Sequence, residues 1–251
     1  MAGKGGVGKT TLAALICWAL KEKGERILAV DADPDANLGF VLGFPKSSDI
    51  IPIALMKELI DERMEVKAGN RGFFKLNPQI DDIPDKFLRQ HNGVELIVMG
   101  TVEAGNSGCI CPENTFLKRL LHQIVLRENE HIVVDFEAGI EHLGRGTASK
   151  FDHLIIVVEP TRLSLDTFKR IYPLAKDIGV KNIWAVANNV RSPADLKFIA
   201  PYLGKAKLLG SLPYCQACVE ANQRGDWQVL KKEKIYAEAK EIVSRLFKRG
   251  G

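Results

Sequence analysis

Gly3-Lys4-Gly5-Gly6-Val7-Gly8-Lys9-Thr10-Thr11, close to the head of a 251-residue chain, is the stretch that decides the fold. It fills every fixed position of the pattern G-x-x-x-x-G-K-[ST]. Glycines let successive backbone N–H groups turn inward and approach phosphate oxygens closely. Lys9 brings a charge to the β- and γ-phosphates, and the Thr10 hydroxyl is a ligand for Mg²⁺. An apolar run follows over 12–20. A helix is therefore expected behind the loop, with its positive dipole end toward the anion. All nine residues, Gly3 to Thr11, are candidate nucleotide contacts.

Outward from the loop, short runs rich in Val, Ile and Leu recur at 26–30, 94–99, 131–136, 153–158, 182–187 and 207–212. They are continuous rather than alternating, which suits strands of a parallel sheet buried on both faces. Helical patterns lie between them at 10–23, 113–127, 164–178, 193–202 and 233–248. The alternation predicts an α/β fold, a mostly parallel sheet with helices on both faces. No repeat or linker interrupts it, so the chain reads as a single domain over 1–251. The segment 45–93 fits the rhythm least and reads as an irregular insertion with one helix near 54–64.

Composition narrows the function classes. Hydrophobic residues make up 46% and charged residues 26%, ordinary for a globular chain and unlike a disordered or collagen-like one. The net charge of +4 is matched by residues 231–249 alone, which hold seven basic and three acidic side chains. The remainder is neutral, so no global field for nucleic acid is present. The run at 12–20 spans nine residues, against about 20 for a membrane helix. Lys21, Glu22 and Lys23 follow at once without a small-residue cleavage site, which argues against a secretion signal. Five cysteines are too few and too uneven for a disulfide scaffold, and read as reduced thiols or metal ligands in a cytoplasmic protein.

Lys4 sharpens the reading. With it the loop resembles the deviant phosphate loop, K-G-G-x-G-K-T, of the MinD/ParA/nitrogenase-iron-protein class of P-loop ATPases. The resemblance implies that Lys4 reaches the partner subunit's nucleotide across a dimer interface, as an arginine finger does. Lys4, Lys9 and Asp33 are then the catalytic residues. One departure is plain: such a loop hangs from a strand, and only Met1 and Ala2 precede it here. The expectation is that the native chain starts upstream, or that these two residues are what remains of the central strand.

The acidic stretches follow from the same resemblance. Asp31-Ala32-Asp33-Pro34-Asp35 resembles the first switch, in which Asp33 orients the attacking water and Asp31 or Asp35 supports Mg²⁺ or the loop. The strand 132–134 ends in Asp135, a second magnesium-linked acid. Phe136-Glu137-Ala138-Gly139-Ile140 resembles the second switch, with the Gly139 N–H offered to the γ-phosphate. Guanine readers of this superfamily carry N-K-x-D, whereas Asn188-Asn189-Val190-Arg191 has neither the Lys nor the Asp. Asn188 resembles the adenine-contacting Asn of the class, and Leu212-Pro213-Tyr214 the loop over the base. Asn188 and Pro213 are therefore the base candidates, and ATP is favoured over GTP.

Gly108-Cys109-Ile110-Cys111-Pro112-Glu113-Asn114 precedes an amphipathic helix. Cys109 and Cys111 offer two soft ligands, and four thiolates are the usual closed set for Zn²⁺. The remaining two come from a symmetric partner or from another pair nearby, unless the two are simply packed thiols. Together with Ile140-Glu141-His142-Leu143 and Arg145-Gly146-Thr147, this stretch resembles the CooC family, ATPases that help insert nickel into carbon monoxide dehydrogenase. The resemblance implies ATP-dependent homodimerisation, Zn²⁺ or Ni²⁺ held by both subunits' Cys109 and Cys111, and a carbon monoxide dehydrogenase client. Cys215-Gln216-Ala217-Cys218 is outside that pattern. It reads as packing, with metal ligation and a redox pair as alternatives, and Cys17 reads as core. The rival readings are a MinD/ParA-type positioning ATPase that binds membrane or DNA and an Mrp/Nbp-type iron–sulfur carrier ATPase. The apolar stripe of 235–247 reads as a helix packed on its own domain, so neither membrane nor nucleic acid is an expected partner.

Overall fold

A computed structural model describes residues 1–67, 72–101, 112–126, 130–137, 139–140, 143 and 145–248. Its strands are β1 (Ile27–Ala32), β2 (Arg89–His91), β3 (Val94–Val98), β4 (His131–Phe136), β5 (His153–Val158), β6 (Asn182–Val190) and β7 (Lys207–Pro213). Its α-helices are α1 (Lys9–Glu22), α2 (Leu38–Leu42), α3 (Lys57–Arg63), α4 (Ile83–Phe87), α5 (Pro112–Ile124), α6 (Arg145–Ala148), α7 (Arg162–Asp177), α8 (Pro193–Leu203), α9 (Gln216–Arg224) and α10 (Lys234–Lys248).

The strands run in the order β2-β3-β1-β4 and then β5-β6-β7. All neighbours are parallel except β2, which lies antiparallel on the β3 edge. Residues 1–2 join the two halves. The Met1 amine donates to the Val134 carbonyl, and Phe136 N–H donates to the Met1 carbonyl. On the other side Ala2 N–H donates to Ile155 O at 2.9 Å, and Val157 N–H to Ala2 O at 2.8 Å. These two residues thus hold the central position, and no other described segment pairs there. Beyond them a cavity of about 660 Å³ separates β4 from β5, lined in part by Val133, Ile155, Ile16 and Leu20.

Pleating sends alternate side chains to opposite faces, and both faces are covered. Leu28 and Val30 of β1 face one core with Phe116 of α5, Leu165 of α7 and Ile199 of α8. Ile27 and Ala29 face the other, with α1, α2 and α10. The run at 12–20 is buried along its whole length, which explains its apolarity without a membrane. Ile235, Ala239, Ile242 and Val243 of α10 are buried against the same core. Among the described residues, no helix is long and apolar enough to cross a membrane.

The segment 45–93 is more ordered than an irregular insertion. Ile53, Ala54, Ile60, Met64, Ile80 and Ile83 are core residues. The expected helix at 54–64 is split into a 3₁₀ turn, Ile53–Leu55, and α3, with Met56 between them. Arg63 clamps the fold-back, bonding both oxygens of Asp82 at 2.9 and 2.6 Å and the Gln79 carbonyl at 3.0 Å. The segment ends in a hairpin onto β3 through Asn92-Gly93, both at positive φ of 48° and 72°. Asn-Gly is a strong hairpin signal, and it was there to be read. Arg89, Gln90 and His91 hid the strand because they lie on an open edge and carry no apolar pattern.

Candidate active site

The phosphate loop sits at the carboxyl end of the sheet, where open α/β folds place ligands. Two of its glycines are required by close approach. A Cβ on Gly3 would meet the Val157 carbonyl oxygen at 2.5 Å, and one on Gly8 would meet Asn188 Nδ2 at 2.3 Å. Gly8 has a φ of 90° and occupies the N-cap of α1. The helix has no side-chain cap and no acidic residue in its first turn. Its N-terminal N–H groups are therefore the kind of unsatisfied donors that a phosphate completes. Gly5 and Gly6 are exposed, and so is Lys4, while Val7 is buried and Thr10 and Thr11 are half-buried.

Lys9 is 6% exposed, and its ammonium lies 3.4 Å from the Lys4 carbonyl. Burial lowers its pKa, and the carboxylates of Asp135, Asp33 and Glu137 oppose that shift. The lysine thus faces three acids gathered from two strand ends. Asp135 closes β4, is fully buried, and burial raises its pKa against the Thr10 hydroxyl, the Met1 amine and Lys9. Thr10 faces it, yet among the described residues neither Asp135 oxygen finds a hydrogen bond of ordinary geometry. A buried carboxylate without such partners is costly unless a cation or water completes it. Thr10 and Asp135 therefore fit Mg²⁺, a hard ion that takes hydroxyl, carboxylate and water oxygens.

The first acidic stretch divides its labour. Asp31 is buried, and its two oxygens accept from Asp33 N–H at 3.2 Å and Leu38 N–H at 2.8 Å. Burial pushes its carboxyl up to about 7. Asp31 thus ties the loop to the start of α2 through both oxygens. Asp33 is half-buried and accepts from Asp35 N–H at 3.0 Å, while Asp35 itself is exposed. Gly139 lies at the end of β4 beside Ala32 and Glu137, on a cavity of about 150 Å³.

Asn188 reaches the loop from β6. Its Nδ2 donates to the Val7 carbonyl at 2.7 Å, across 181 residues of sequence. Its Oδ1 is buried without a partner among the described residues, an acceptor suited to an exocyclic amine such as that of adenine. Pro213 ends β7 opposite Val190, and Tyr214 N–H bonds the Val190 carbonyl at 3.0 Å. Arg191 stacks over the Tyr214 ring at 4.1 Å. Sequence reasoning missed this stacking, and it missed the bond from Asn189 to Glu159. No local signal joins residues so far apart in the chain. Cys109 and Cys111, with Ala138, Glu141 and His142, lie outside the described residues. Among the described residues no group of three or more His, Cys, Asp or Glu is placed to hold a metal.

The loop, the helix behind it and the acids at the strand ends define a nucleotide-binding protein of the deviant phosphate-loop class. The chain belongs to the CobQ/CobB/MinD/ParA nucleotide-binding domain family, which it matches over residues 1–229. It is similar to the carbon monoxide dehydrogenase accessory protein CooC of Rhodospirillum rubrum, with 44% identity over 97% of this chain and 95% of that protein. The resemblance drawn from the cysteine and second-switch stretches is thereby borne out. An uncharacterised ATP-binding protein of Methanocaldococcus jannaschii is 39% identical over 98% of this chain and 94% of its own length. Among solved structures, MinD of Aquifex aeolicus superposes with a TM-score of 0.69 at 23% identity, covering 99% of this chain and 95% of that one. A ParA-family ATPase of Chlorobium tepidum gives 0.70 at 20% identity, covering 98% and 96%. These two similarities bear on the fold, which is the α/β sheet with helices on both faces expected from the sequence.

Proposed function

We propose that this chain hydrolyses ATP to ADP and phosphate, dimerises when ATP is bound, and uses that cycle to deliver nickel to a carbon monoxide dehydrogenase. The observation that carries the hydrolytic reading is Asp135, buried, without a hydrogen bond of ordinary geometry among the described residues, and facing Thr10 and Lys9 at the uncapped end of α1. Lys9 neutralises the β- and γ-phosphates, and Asp33 holds the attacking water. Thr10 and Asp135 would hold Mg²⁺, which would offset the charge that develops on the phosphates. Lys4, exposed at the loop's rim, serves the partner subunit's phosphates. Asn188 and Pro213 contact the adenine. The accessory role and the client come from the end-to-end similarity to CooC.

In this reading Cys109 and Cys111 of two subunits hold one divalent ion, Zn²⁺ or Ni²⁺, at the dimer axis. A single C-x-C supplies too few ligands for a closed site, so metal occupancy couples to dimerisation and, reciprocally, to ATP. Light scattering on a sizing column with metal analysis tests this. The expected result is a dimer with ATP and about half an ion per chain, lost in Cys109→Ala and Cys111→Ala and kept in Cys17→Ala. One full ion per monomer without nucleotide would overturn it.

A further inference from the structure

Cys215 and Cys218 are used by nothing in the ATPase reading. We propose that they are a redox-modification site: exchange with a low-molecular-weight disulfide of the glutathione kind closes them into an intrachain disulfide beside the base pocket. Cys215 is the N-cap of α9, and Cys218 lies in its first turn. Cys218 N–H donates to the Cys215 carbonyl at 3.1 Å, and the Cys215 side chain lies close enough to act on the Cys218 thiol. Residues three apart in a helical turn have Cα atoms about 5 Å apart. That lies inside the window of about 4.4–6.8 Å that a disulfide spans.

Two observations separate this pair from structural thiols. Cys17 shows what a structural thiol looks like here: it is completely buried in α1, and burial pushes its thiol far up. Cys215 and Cys218 are only half-buried, so a small reagent can reach them. The pair is also asymmetric. Burial and the adjacent Cys215 hold the Cys218 thiol above its usual range, with the Glu233 carboxylate adding to the effect. Cys215 instead sits at the positive end of the α9 dipole, in a first turn without acidic residues. A C-x-x-C at a helix N-terminus is the arrangement that supports dithiol exchange.

The exchange balances within these groups. The Cys215 thiolate attacks one sulfur of the small disulfide, its S–S bond breaks, and one thiolate leaves. The Cys218 thiolate then attacks the Cys215 sulfur, the mixed disulfide breaks, and the second thiolate leaves. Two electrons pass from the chain to the reagent, and the two protons end on the released thiols. The bond forms directly after Tyr214, whose hydroxyl donates to Gln216 at 2.8 Å and whose N–H holds Val190. The modified segment is thus the one that carries Pro213.

Peptide mapping tests the proposal on the full chain. Trypsin releases residues 208–224, which contain Cys215 and Cys218 and no other cysteine. The chain is equilibrated with glutathione in about tenfold oxidised excess, quenched with acid, and its remaining thiols are alkylated. The expected peptide is two hydrogens lighter than the reduced form and carries no alkyl group. In Cys218→Ser, Cys215 accumulates as a glutathione mixed disulfide, while in Cys215→Ser, Cys218 stays free. A wild-type peptide alkylated at both positions overturns the site. Equal glutathionylation of the two single variants overturns the assigned order of attack.

Discussion

Gly8→Ala gives a sharp test of how the site is assembled. At a φ of 90° an alanine is strained, at a cost of about 1–2 kcal/mol. Its Cβ would also stand 2.3 Å from Asn188 Nδ2, a separation real Cβ atoms do not show, so Asn188 must move. That movement breaks the 2.7 Å bond to the buried Val7 carbonyl. Leaving such a pair unsatisfied costs about 1–3 kcal/mol. The sum is about 2–5 kcal/mol, less roughly 0.5–1 kcal/mol from the stiffer unfolded chain. Where this appears in nucleotide affinity rather than folding, each 1.4 kcal/mol is about tenfold in Kd. The cycle with Asn188→Ala isolates the contact. In the Asn188→Ala background the obstacle is gone, and Gly8→Ala should cost only the backbone part. Urea unfolding and titration with a fluorescent ATP analogue on the four proteins read the coupling, expected at about 1–3 kcal/mol. Costs that add without coupling would show that Asn188 does not brace the loop.

Lys9→Ala should abolish ATP binding by equilibrium dialysis, whereas Lys4→Ala should bind normally but lose phosphate release and ATP-dependent dimerisation; normal turnover by a monomeric Lys4 variant removes the cross-subunit role. Asp33→Asn should trap an ATP-bound dimer on a sizing column, because the phosphates stay neutralised while the water is poorly held, and unchanged turnover moves the water-orienting role elsewhere. Asp31→Asn tests the buried brace through pH. The folded Asp31 carboxyl is pushed up to about 7, above about 3.9 in an unfolded chain. Between those values the folded state keeps a proton that the unfolded state has lost, so this group's contribution is full in acid and falls as pH rises toward 7. Relative to wild type, the Asn variant should gain up to about 4 kcal/mol in urea unfolding between pH 4 and pH 8. A difference independent of pH contradicts the assignment.

Local pattern carried most of the fold. The apolar runs that predicted the strands reappear within a few residues as β1 and β3 to β7, because strands buried on both faces must be apolar throughout. The phosphate loop was legible for a similar reason. Its glycines, lysine and threonine each answer a local requirement of geometry or charge, and those requirements are written in consecutive residues. Asp135 could be picked out because a lone acid at the end of a buried strand is conspicuous.

What lay beyond the sequence depends on residues that meet only when the sheet forms. The partner of Gly8 is Asn188, on a strand 181 residues from Val7 along the chain. Whether Asp31 or Asp35 supports the loop could not be chosen from Asp31-Ala32-Asp33-Pro34-Asp35. It took the two backbone N–H groups that fold back onto Asp31 to decide it. The same holds for Asp135, whose acid character was evident but whose burial against Thr10 and Lys9 was not. The segment 45–93 looked irregular because its order comes from packing and from the Arg63 clamp on Asp82, not from periodicity. Met1 and Ala2 carry no pattern at all, yet they hold the centre of the sheet because the hydrogen-bonding edges of β4 and β5 meet there. Sequence determined which chemistry this chain can hold, since composition and spacing are local. Tertiary structure decided which atoms hold it, since burial and partners are set by distant strands.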